Sequence, residues 1–327
     1  MPYVDFRGAG PYYGFPALSP HLLSQPYPRP YFQQNPWPVA PVPHTCSTNG
    51  LWPGLGRPYS PHAPQTFAPE SFYRQAEEDP RLQQPLTFVL IHGSWADAAF
   101  WNGIAAELRR KGHTVYAPEY PGHGKDPNKD VTHAMITRFL ANYIMSNRLR
   151  DIVLVGHSFG GTLVQKVAEL VPERIKRLVF LNAFVLKDGQ STADELPPQV
   201  RTQFEQLAAQ SGNHTLMLPF PLYRDGFVNL TGLRTARQMY NRITPEPAKP
   251  LFEKLDLTKF YSLELPKSYV YLTEDNVLPQ GGGYGWHPHM SGRLGLFRLI
   301  KDRGDHMSTA KEEPARLAQR LYEAGRD

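Results

Sequence analysis

The chain of 327 residues is long enough for one large domain or two small ones, and it carries a formal net charge of +5 at pH 7. The charge is spread along the sequence without a Lys/Arg block, which excludes an obvious nucleic-acid interface. Cys46 is the only cysteine, so neither an intrachain disulfide nor a cysteine-based metal cluster can form. No apolar run has the length of a membrane span, and the first residues do not resemble a secretory signal. We expect no membrane span, no nucleic-acid partner and a cytoplasmic location.

Residues 1–80 differ in composition from the rest of the chain. They hold 17 of the 33 prolines, interleaved with Tyr, Phe, Trp and Gln, and they carry almost no charge before Glu70. Dense proline removes backbone donors and fixes φ, so neither helix nor sheet can propagate. We predict a disordered Tyr/Pro-rich extension over residues 1–80 and one folded domain over residues 81–327. The extension is either a solvated tail or a segment that associates with a surface or another protein.

From Leu86 onward, short apolar runs alternate with amphipathic segments. The strand patterns "LTFVLIHG" and "TVYAPEYPG" flank a helical pattern that stops at Gly112. The elements expected next are a helix over 131–147, a strand over 151–155, a helix over 158–171 and a strand over 177–181. Strands and helices that alternate at these lengths predict a parallel sheet covered on both faces.

Regular alternation stops between residues 186 and 260. Helical patterns at 198–210 and 230–241 are broken there by proline-containing stretches. We predict that this insertion forms a mostly helical cap over the C-terminal edge of the sheet. The core pattern returns with a strand over 267–275, a last strand within "LGLFRLIKDRGDHM" and a helix over 313–324.

The most informative stretch is "IVLVGHSFGGTL", residues 152–163, in which a strand pattern meets a helix pattern. The pentapeptide "GHSFG" at that junction has the form G-x-S-x-G. A side chain two residues before or after the serine would clash with the neighbouring turn, so glycine is needed at both positions. The corner predicts that Ser158 is a nucleophile raised above the sheet edge.

A serine hydroxyl at neutral pH is a weak nucleophile that needs a base within hydrogen-bond reach and a group that orients this base. After such a corner an acid and then a histidine should follow, each just after a late strand. Asp275 ends the strand pattern "SYVYLTED", and His306 follows "LFRLIKDRGD". We predict a triad of Ser158, His306 and Asp275.

Other acids and histidines are the alternatives. Glu274 is the strongest rival to Asp275, whereas Asp305 would have to bend back on its own neighbour. His287 and His289 precede the last strand, and this pair lacks an obvious third ligand for a metal site. We therefore expect no metal and no nucleotide or organic cofactor.

The reaction also needs two donors for the oxyanion that forms when a carbonyl is attacked. The backbone N–H of Phe159, directly after the nucleophile, is one candidate. The other comes from the loop "IHGSWADAAFW" after the first strand, and the backbone N–H of Ser94 is the expected group.

Five segments carry a family resemblance: "HGSWADAAFW", "GHSFGG", "PERIKRLVFLNAF", "YLTEDNVLP" and "GDHM". Through them residues 85–327 resemble the α/β-hydrolase superfamily, and within it the branch of plant methylesterases and hydroxynitrile lyases with their bacterial and fungal esterase-like relatives. The resemblance implies an α/β-hydrolase fold, a mostly parallel sheet flanked by helices with a helical cap insertion. It also implies triad roles for Ser158, Asp275 and His306, with a small-molecule ester as substrate.

Two positions separate esterases from lyases within this branch. The lyases resemble one another in a threonine after the first-loop histidine and a lysine after the catalytic histidine, where this chain has Gly93 and Met307. We therefore expect a carboxylic ester hydrolase that works through an acyl-enzyme. The alternatives are a hydrolase-fold ligand-binding or receptor protein with little turnover, and a lyase-type enzyme. The glycine-rich segment 278–295 is longer than in the plant members, and its effect on the pocket stays open.

Overall fold

A parallel sheet forms the centre of the fold in this computed structural model, which describes residues 84–281 and 283–327. The strands are β1 (Thr87–Ile91), β2 (Thr114–Tyr116), β3 (Ile152–Ser158), β4 (Ile175–Ala183), β5 (Thr215–Leu216), β6 (Glu246–Pro247), β7 (Lys267–Leu272) and β8 (Arg298–Asp302). Six of them form the sheet in the order β2-β1-β3-β4-β7-β8, with every neighbouring pair parallel. β5 and β6 form a separate antiparallel pair. The extension predicted over residues 1–80 lies outside the described residues.

The α-helices lie between the strands and after the last one. They are α1 (Asn102–Arg110), α2 (His133–Ser146), α3 (Gly160–Leu170), α4 (Pro198–Gln210), α5 (Phe220–Leu222), α6 (Leu233–Tyr240), α7 (Lys249–Phe252), α8 (Thr258–Ser262), α9 (Ser308–Glu312) and α10 (Pro314–Gly325). Thr132 precedes α2, and its hydroxyl accepts the backbone N–H of Met135 at 3.1 Å, as an N-cap residue does. Gly112, at a φ of 87°, follows α1 where the sequence predicted a stop.

The central strands bury both of their faces. Along β1, Phe88 and Leu90 pack with apolar residues of α1 and α10, while Val89 and Ile91 pack with those of α2 and α3. Successive strand residues point to opposite faces, so an unbroken apolar run requires cover on both sides. Full burial of each such side chain stabilises the fold by about 1.5–3 kcal/mol. The predicted α/β fold, with a parallel sheet between two helical layers, is confirmed.

The segment between β4 and β7 carries helices α4 to α8 and the antiparallel pair of β5 and β6. The sequence predicted α4 at its observed bounds, and the helix predicted over 230–241 corresponds to α6. It did not predict β5 and β6, in which Leu216 pairs with Glu246. Strands of two residues leave no alternation to detect in a sequence. The assignment of residues 186–260 as a cap stays a prediction.

The turn from β3 into α3 leaves no room for a side chain at Gly156. A Cβ atom built there would lie 2.5 Å from the carbonyl oxygen of Gly160. We expect Gly156→Ala to lower the free energy of unfolding by about 1–3 kcal/mol, because the backbone must shift to relieve the overlap. Urea titration of the purified variant measures this loss. The control is Gly292→Ala, at an exposed glycine where the added carbon meets no atom within 4 Å. Equal losses in both variants would contradict the prediction.

Candidate active site

Ser158 lies at the corner between β3 and α3. Its φ of 54° is in the left-handed region that residues other than glycine rarely occupy, as at a strained nucleophile corner. Gly160, the first residue of α3, lies so close to the end of β1 that an added Cβ would be 2.6 Å from the carbonyl oxygen of His92. The strand therefore turns into the helix without an intervening loop, and the serine side chain is held at the sheet edge.

The two residues predicted to supply oxyanion donors flank this serine. Phe159 follows it and precedes the first residue of α3. Ser94 follows Gly93, where an added Cβ would lie only 2.6 Å from Ser158 Cβ. Both residues are buried. The loop after β1 thus passes directly against the serine, while the donor role of the two N–H groups stays a prediction.

The structure brings His306 and Asp275 together beyond the C-terminal ends of β7 and β8. His306 Nδ1 lies 2.6 Å from Asp275 Oδ2, and both side chains are buried. An ionised carboxylate only accepts hydrogen bonds, so Nδ1 carries the proton and donates it. In the neutral imidazole the other nitrogen, Nε2, then carries no proton and can act as a base.

His157 links Ser158 to this pair. His157 Nε2 donates to the backbone carbonyl of His306 at 3.0 Å, and the centroids of the two imidazole rings lie 4.5 Å apart. Within the described residues, the Ser158 hydroxyl makes no hydrogen bond to His306. Hydrogen bonds between catalytic groups are often long before substrate binds and shorten in the reacting complex.

Asn182, near the end of β4, contacts the predicted acid Asp275, and this contact was not predicted from the sequence. Its amide nitrogen donates to Asp275 Oδ2 at 2.6 Å, and its amide oxygen accepts the backbone N–H of Leu272 at 2.7 Å. Asp275 Oδ1 accepts the N–H of Val277 at 2.9 Å. The available signal was a polar residue inside the apolar run "RLVFLNAF". These hydrogen bonds fix the orientation of the carboxylate toward His306.

The alternative acids, Glu274 and Asp305, form hydrogen bonds with other groups. Glu274 Oε2 accepts the N–H of Gly304 at 2.9 Å. Asp305 accepts the N–H groups of Leu230 and Thr309, at 3.1 and 3.0 Å respectively. Neither carboxylate bonds to the ring of the predicted catalytic histidine in the part of the chain that the structure describes, so the geometry favours Asp275.

His287 and His289 each have a partner of their own. His287 Nδ1 contacts Ser291 Oγ at 2.7 Å, and His289 Nε2 contacts Glu195 Oε2 at 2.9 Å. Among residues 84–281 and 283–327, no group of three or more His, Cys, Asp or Glu side chains is arranged to hold a metal ion.

Aromatic side chains close the site around His306. The ring of Trp286 stacks on the imidazole with centroids 5.5 Å apart and an interplanar angle of 16°, and the ring of Phe227 meets it edge-on at 5.2 Å. Trp286 is fully buried, and its indole N–H has no partner within the described residues. This tryptophan belongs to the glycine-rich segment 278–295, so that segment contributes directly to the wall of the site. The sequence had not placed it there, because the contact joins separate loops.

A buried acid–base pair lies behind the loop that carries Ser94. His123 Nε2 is 3.0 Å from Glu246 Oε2, and each side chain is 1% exposed. Burial acts to lower the pKa of His123, but the charge and hydrogen bond of Glu246 outweigh it and raise this pKa above its ordinary value of 6.5. Burial acts to raise the pKa of Glu246, but His123 and the N–H of Trp95 lower it below its ordinary value of 4.5. Each group therefore favours the charged form of the other.

The fold and the site define a class of protein. The alpha/beta hydrolase family matches residues 88–320, and the chain belongs to this family. A carbendazim-hydrolysing esterase from Nocardioides sp. (strain SG-4G) is 36% identical over 144 residues, which cover 41% of this chain and 60% of that protein. A putative chloroplastic methylesterase 13 from Arabidopsis thaliana is 28% identical over 205 residues, which cover 59% of this chain and 46% of that protein. The match thus spans less than two thirds of either relative.

One solved structure shares more of the sequence. An extracellular alpha/beta-hydrolase from a Paenibacillus species is 57% identical with a TM-score of 0.73, and the match covers 74% of this chain and 100% of that one. That protein is reported to share structural and functional homology with tobacco salicylic acid binding protein 2. The predicted resemblance to α/β-hydrolases with methylesterase relatives is confirmed. The cytoplasmic location stays a prediction, and no described helix is long and apolar enough to cross a membrane.

We expect the contribution of the His123–Glu246 pair to stability to depend on pH. A raised histidine pKa stabilises the fold below pH 6.5, and this contribution is lost as the pH rises through the raised pKa. A lowered glutamate pKa stabilises the fold above pH 4.5, and this contribution is lost as the pH falls through the lowered pKa. The difference in unfolding free energy between wild type and Glu246→Gln should therefore be largest between these two values.

Urea titration of both proteins across that range measures the difference. The control is Glu205→Gln, because Glu205 forms an exposed pair with Arg201 at 3.1 Å, and exposed pairs contribute little to stability. A difference for Glu246→Gln that stays constant from acid to alkaline pH would show that the pair does not titrate in this way.

Proposed function

We propose that this protein is a serine hydrolase that cleaves a carboxylic ester of a small molecule through an acyl-enzyme on Ser158. The observation that carries the proposal is the buried hydrogen bond of 2.6 Å between His306 and Asp275, which lies beside the strained corner at Ser158. The esterases among the relatives support the same class of reaction.

In this mechanism Ser158 Oγ attacks the ester carbonyl carbon while His306 Nε2 takes the hydroxyl proton. Asp275 holds the Nδ1–H and stabilises the imidazolium that forms. The N–H groups of Ser94 and Phe159 bind the oxyanion of the tetrahedral intermediate, and each lowers the barrier by about 3 kcal/mol. His306 then protonates the leaving alkoxide. In the second half it takes a proton from water, whose oxygen attacks the acyl carbon, and it returns the proton to Ser158 as the acid leaves.

A cavity of about 330 Å³ is lined by chain neighbours of the proposed catalytic residues, whereas Ser158, Asp275 and His306 themselves are not part of its lining. Trp95 and Met307, which directly follow Ser94 and His306 in the chain, form part of its wall. Other apolar and aromatic side chains that line it are Phe100, Tyr223, Met239 and Ile243. The apolar part of this lining suits an ester with an apolar acyl or alcohol group, and Asp97, Arg242 and Lys311 add charged groups to the wall.

The other two functions have less support. A lyase of this branch has a threonine at the position of Gly93, and there an added Cβ would already lie 2.6 Å from Ser158 Cβ. A ligand-binding protein with little turnover is the second candidate, because the Paenibacillus relative is likened to a salicylic acid binding protein. Measured turnover separates this candidate from the proposed hydrolase.

We expect the purified protein to hydrolyse p-nitrophenyl esters of short to medium acyl length, and Ser158→Ala to lower kcat by about 10⁴-fold or more. Asp275→Asn should lower kcat by about 10⁴-fold, since an amide at this position favours the wrong histidine tautomer. Steady-state kinetics across the ester series measures both effects.

Glu274→Gln is the matched control, because this neighbouring carboxylate bonds to Gly304 and its replacement keeps an acceptor oxygen. It should leave kcat/KM unchanged. A strong loss in Glu274→Gln with none in Asp275→Asn would reassign the acid. A wild type with no turnover above the Ser158→Ala background would reject ester hydrolysis for this series and favour the ligand-binding role.

A further inference from the structure

The loop after β1 contains a strained residue next to a proposed oxyanion donor. Trp95 follows Ser94 and has a φ of 56°, in the left-handed region that a bulky side chain rarely adopts. Such a conformation is unfavourable and persists only where the surrounding contacts hold it. The contacts that hold Trp95 therefore also fix the stretch of main chain that presents the Ser94 N–H.

Two hydrogen bonds hold Trp95, and both partners come from the insertion. Its backbone N–H donates to Glu246 Oε2 at 2.8 Å, and its indole N–H donates to the carbonyl oxygen of Leu216 at 2.9 Å. Leu216 and Glu246 are paired residues of β5 and β6. One two-stranded sheet thus holds both the main chain and the side chain of the strained residue.

The charge of Glu246 is compensated where it lies. An uncompensated carboxylate this deeply buried would be strongly destabilised and would repel a developing oxyanion. His123 Nε2 lies 3.0 and 3.1 Å from the two carboxylate oxygens, and its Nδ1 faces the carbonyl oxygen of Pro121 at 3.2 Å. Because both ring nitrogens face acceptors, the ring is satisfied when it carries two protons and a positive charge. The pair can therefore bind the Trp95 N–H without adding net charge to the site.

We propose that Glu246 is a positioning residue that holds Trp95 in its left-handed conformation and so keeps the Ser94 N–H directed at the oxyanion. The inference rests on the proposed function, because an oxyanion forms only where a carbonyl is attacked. Glu246 acts through Trp95 and through its hydrogen bond to the Ser94 side chain, and it does not touch the reacting atoms. The small sheet of β5 and β6 is thereby part of the apparatus that stabilises the transition state.

The test compares Glu246→Ala and Glu246→Gln with wild type, in ester hydrolysis and in inhibition by an aryl trifluoromethyl ketone. The Ser158 hydroxyl adds to such a ketone and forms a tetrahedral adduct whose oxygen occupies the oxyanion position. We expect Glu246→Ala to lower kcat about 10- to 100-fold with KM unchanged, because the displaced donor acts in the transition state. The Ki of the ketone should rise by the same factor. Glu246→Gln keeps one acceptor oxygen, so its kcat and its Ki for the ketone should lie between those of Glu246→Ala and those of wild type.

Glu169→Ala is the matched control for loss of a buried carboxylate. Glu169 also accepts a backbone N–H from the insertion, that of Phe260 at 3.0 Å, and it also has a basic partner, Lys166. Glu169 lies near the C-terminal end of α3, at the opposite end of this helix from Ser158, and bonds to Phe260 of α8. We expect this variant to lose stability in urea titration while its kcat and its Ki for the ketone stay at the wild-type values.

Three results would overturn the inference. An active wild type together with unchanged kcat and ketone affinity in Glu246→Ala would remove the positioning role, and so would a loss confined to KM. If the alanine variant does not fold, Glu246→Gln is used in its place, and unchanged kcat and unchanged ketone Ki in that variant would likewise remove the positioning role. A wild type that neither hydrolyses esters nor binds the ketone would instead reject the proposed function, and this inference with it.

Discussion

The close approach of α3 to the end of β1 is the constraint on which the candidate site depends. A Cβ on Gly160 would lie 2.7 and 2.6 Å from the carbonyl oxygens of Ile91 and His92. Because the helix begins this close to the sheet, the chain must turn within one or two residues, and Ser158 adopts a φ of 54° to do so. Gly156, on the strand side of this turn, is also constrained, because a Cβ there would lie 2.5 Å from the carbonyl oxygen of Gly160. The position of the serine is therefore a steric result of packing a helix against the sheet.

Parallel strands bring the other polar groups to the same edge. Asn182 lies near the end of β4, Asp275 follows β7 and His306 follows β8, so side chains far apart in the chain meet where the strands end. Trp286 and Phe227 contact His306 there, and both His306 and Asp275 are buried, which strengthens each hydrogen bond and makes an unpaired charge costly. The hydrogen bonds that Asn182, Val277 and His306 donate to the Asp275 carboxylate offset this desolvation cost.

The insertion between β4 and β7 contributes contacts to the candidate site. It supplies Phe227 against the catalytic candidate His306, and the strands β5 and β6 that hold Trp95. Glu246 and His123 illustrate the general requirement: a carboxylate can serve inside the protein only with a counter-charge and satisfied hydrogen bonds. The core supplies the proposed reactive groups, and the insertion supplies contacts to His306 and to the loop after β1.

The sequence by itself determined the alternation of strands and helices and the corner at Ser158, and it predicted Asp275 and His306, which lie 2.6 Å apart, as partners of this serine. These features depend on local patterns, in which glycine spacing and apolar periodicity report on the backbone directly. Only the tertiary structure revealed three contacts: the hydrogen bond from Asn182 to Asp275, the stacking of Trp286 on His306, and the hydrogen bond from Trp95 to Glu246. Each of these contacts joins separate segments, and two come from elements too short or too irregular to leave a period in the sequence. Such contacts form because packing of the whole chain brings the segments together. A local pattern could mark Asn182 as a polar residue in an apolar run, but it could not name the partner in any of these contacts.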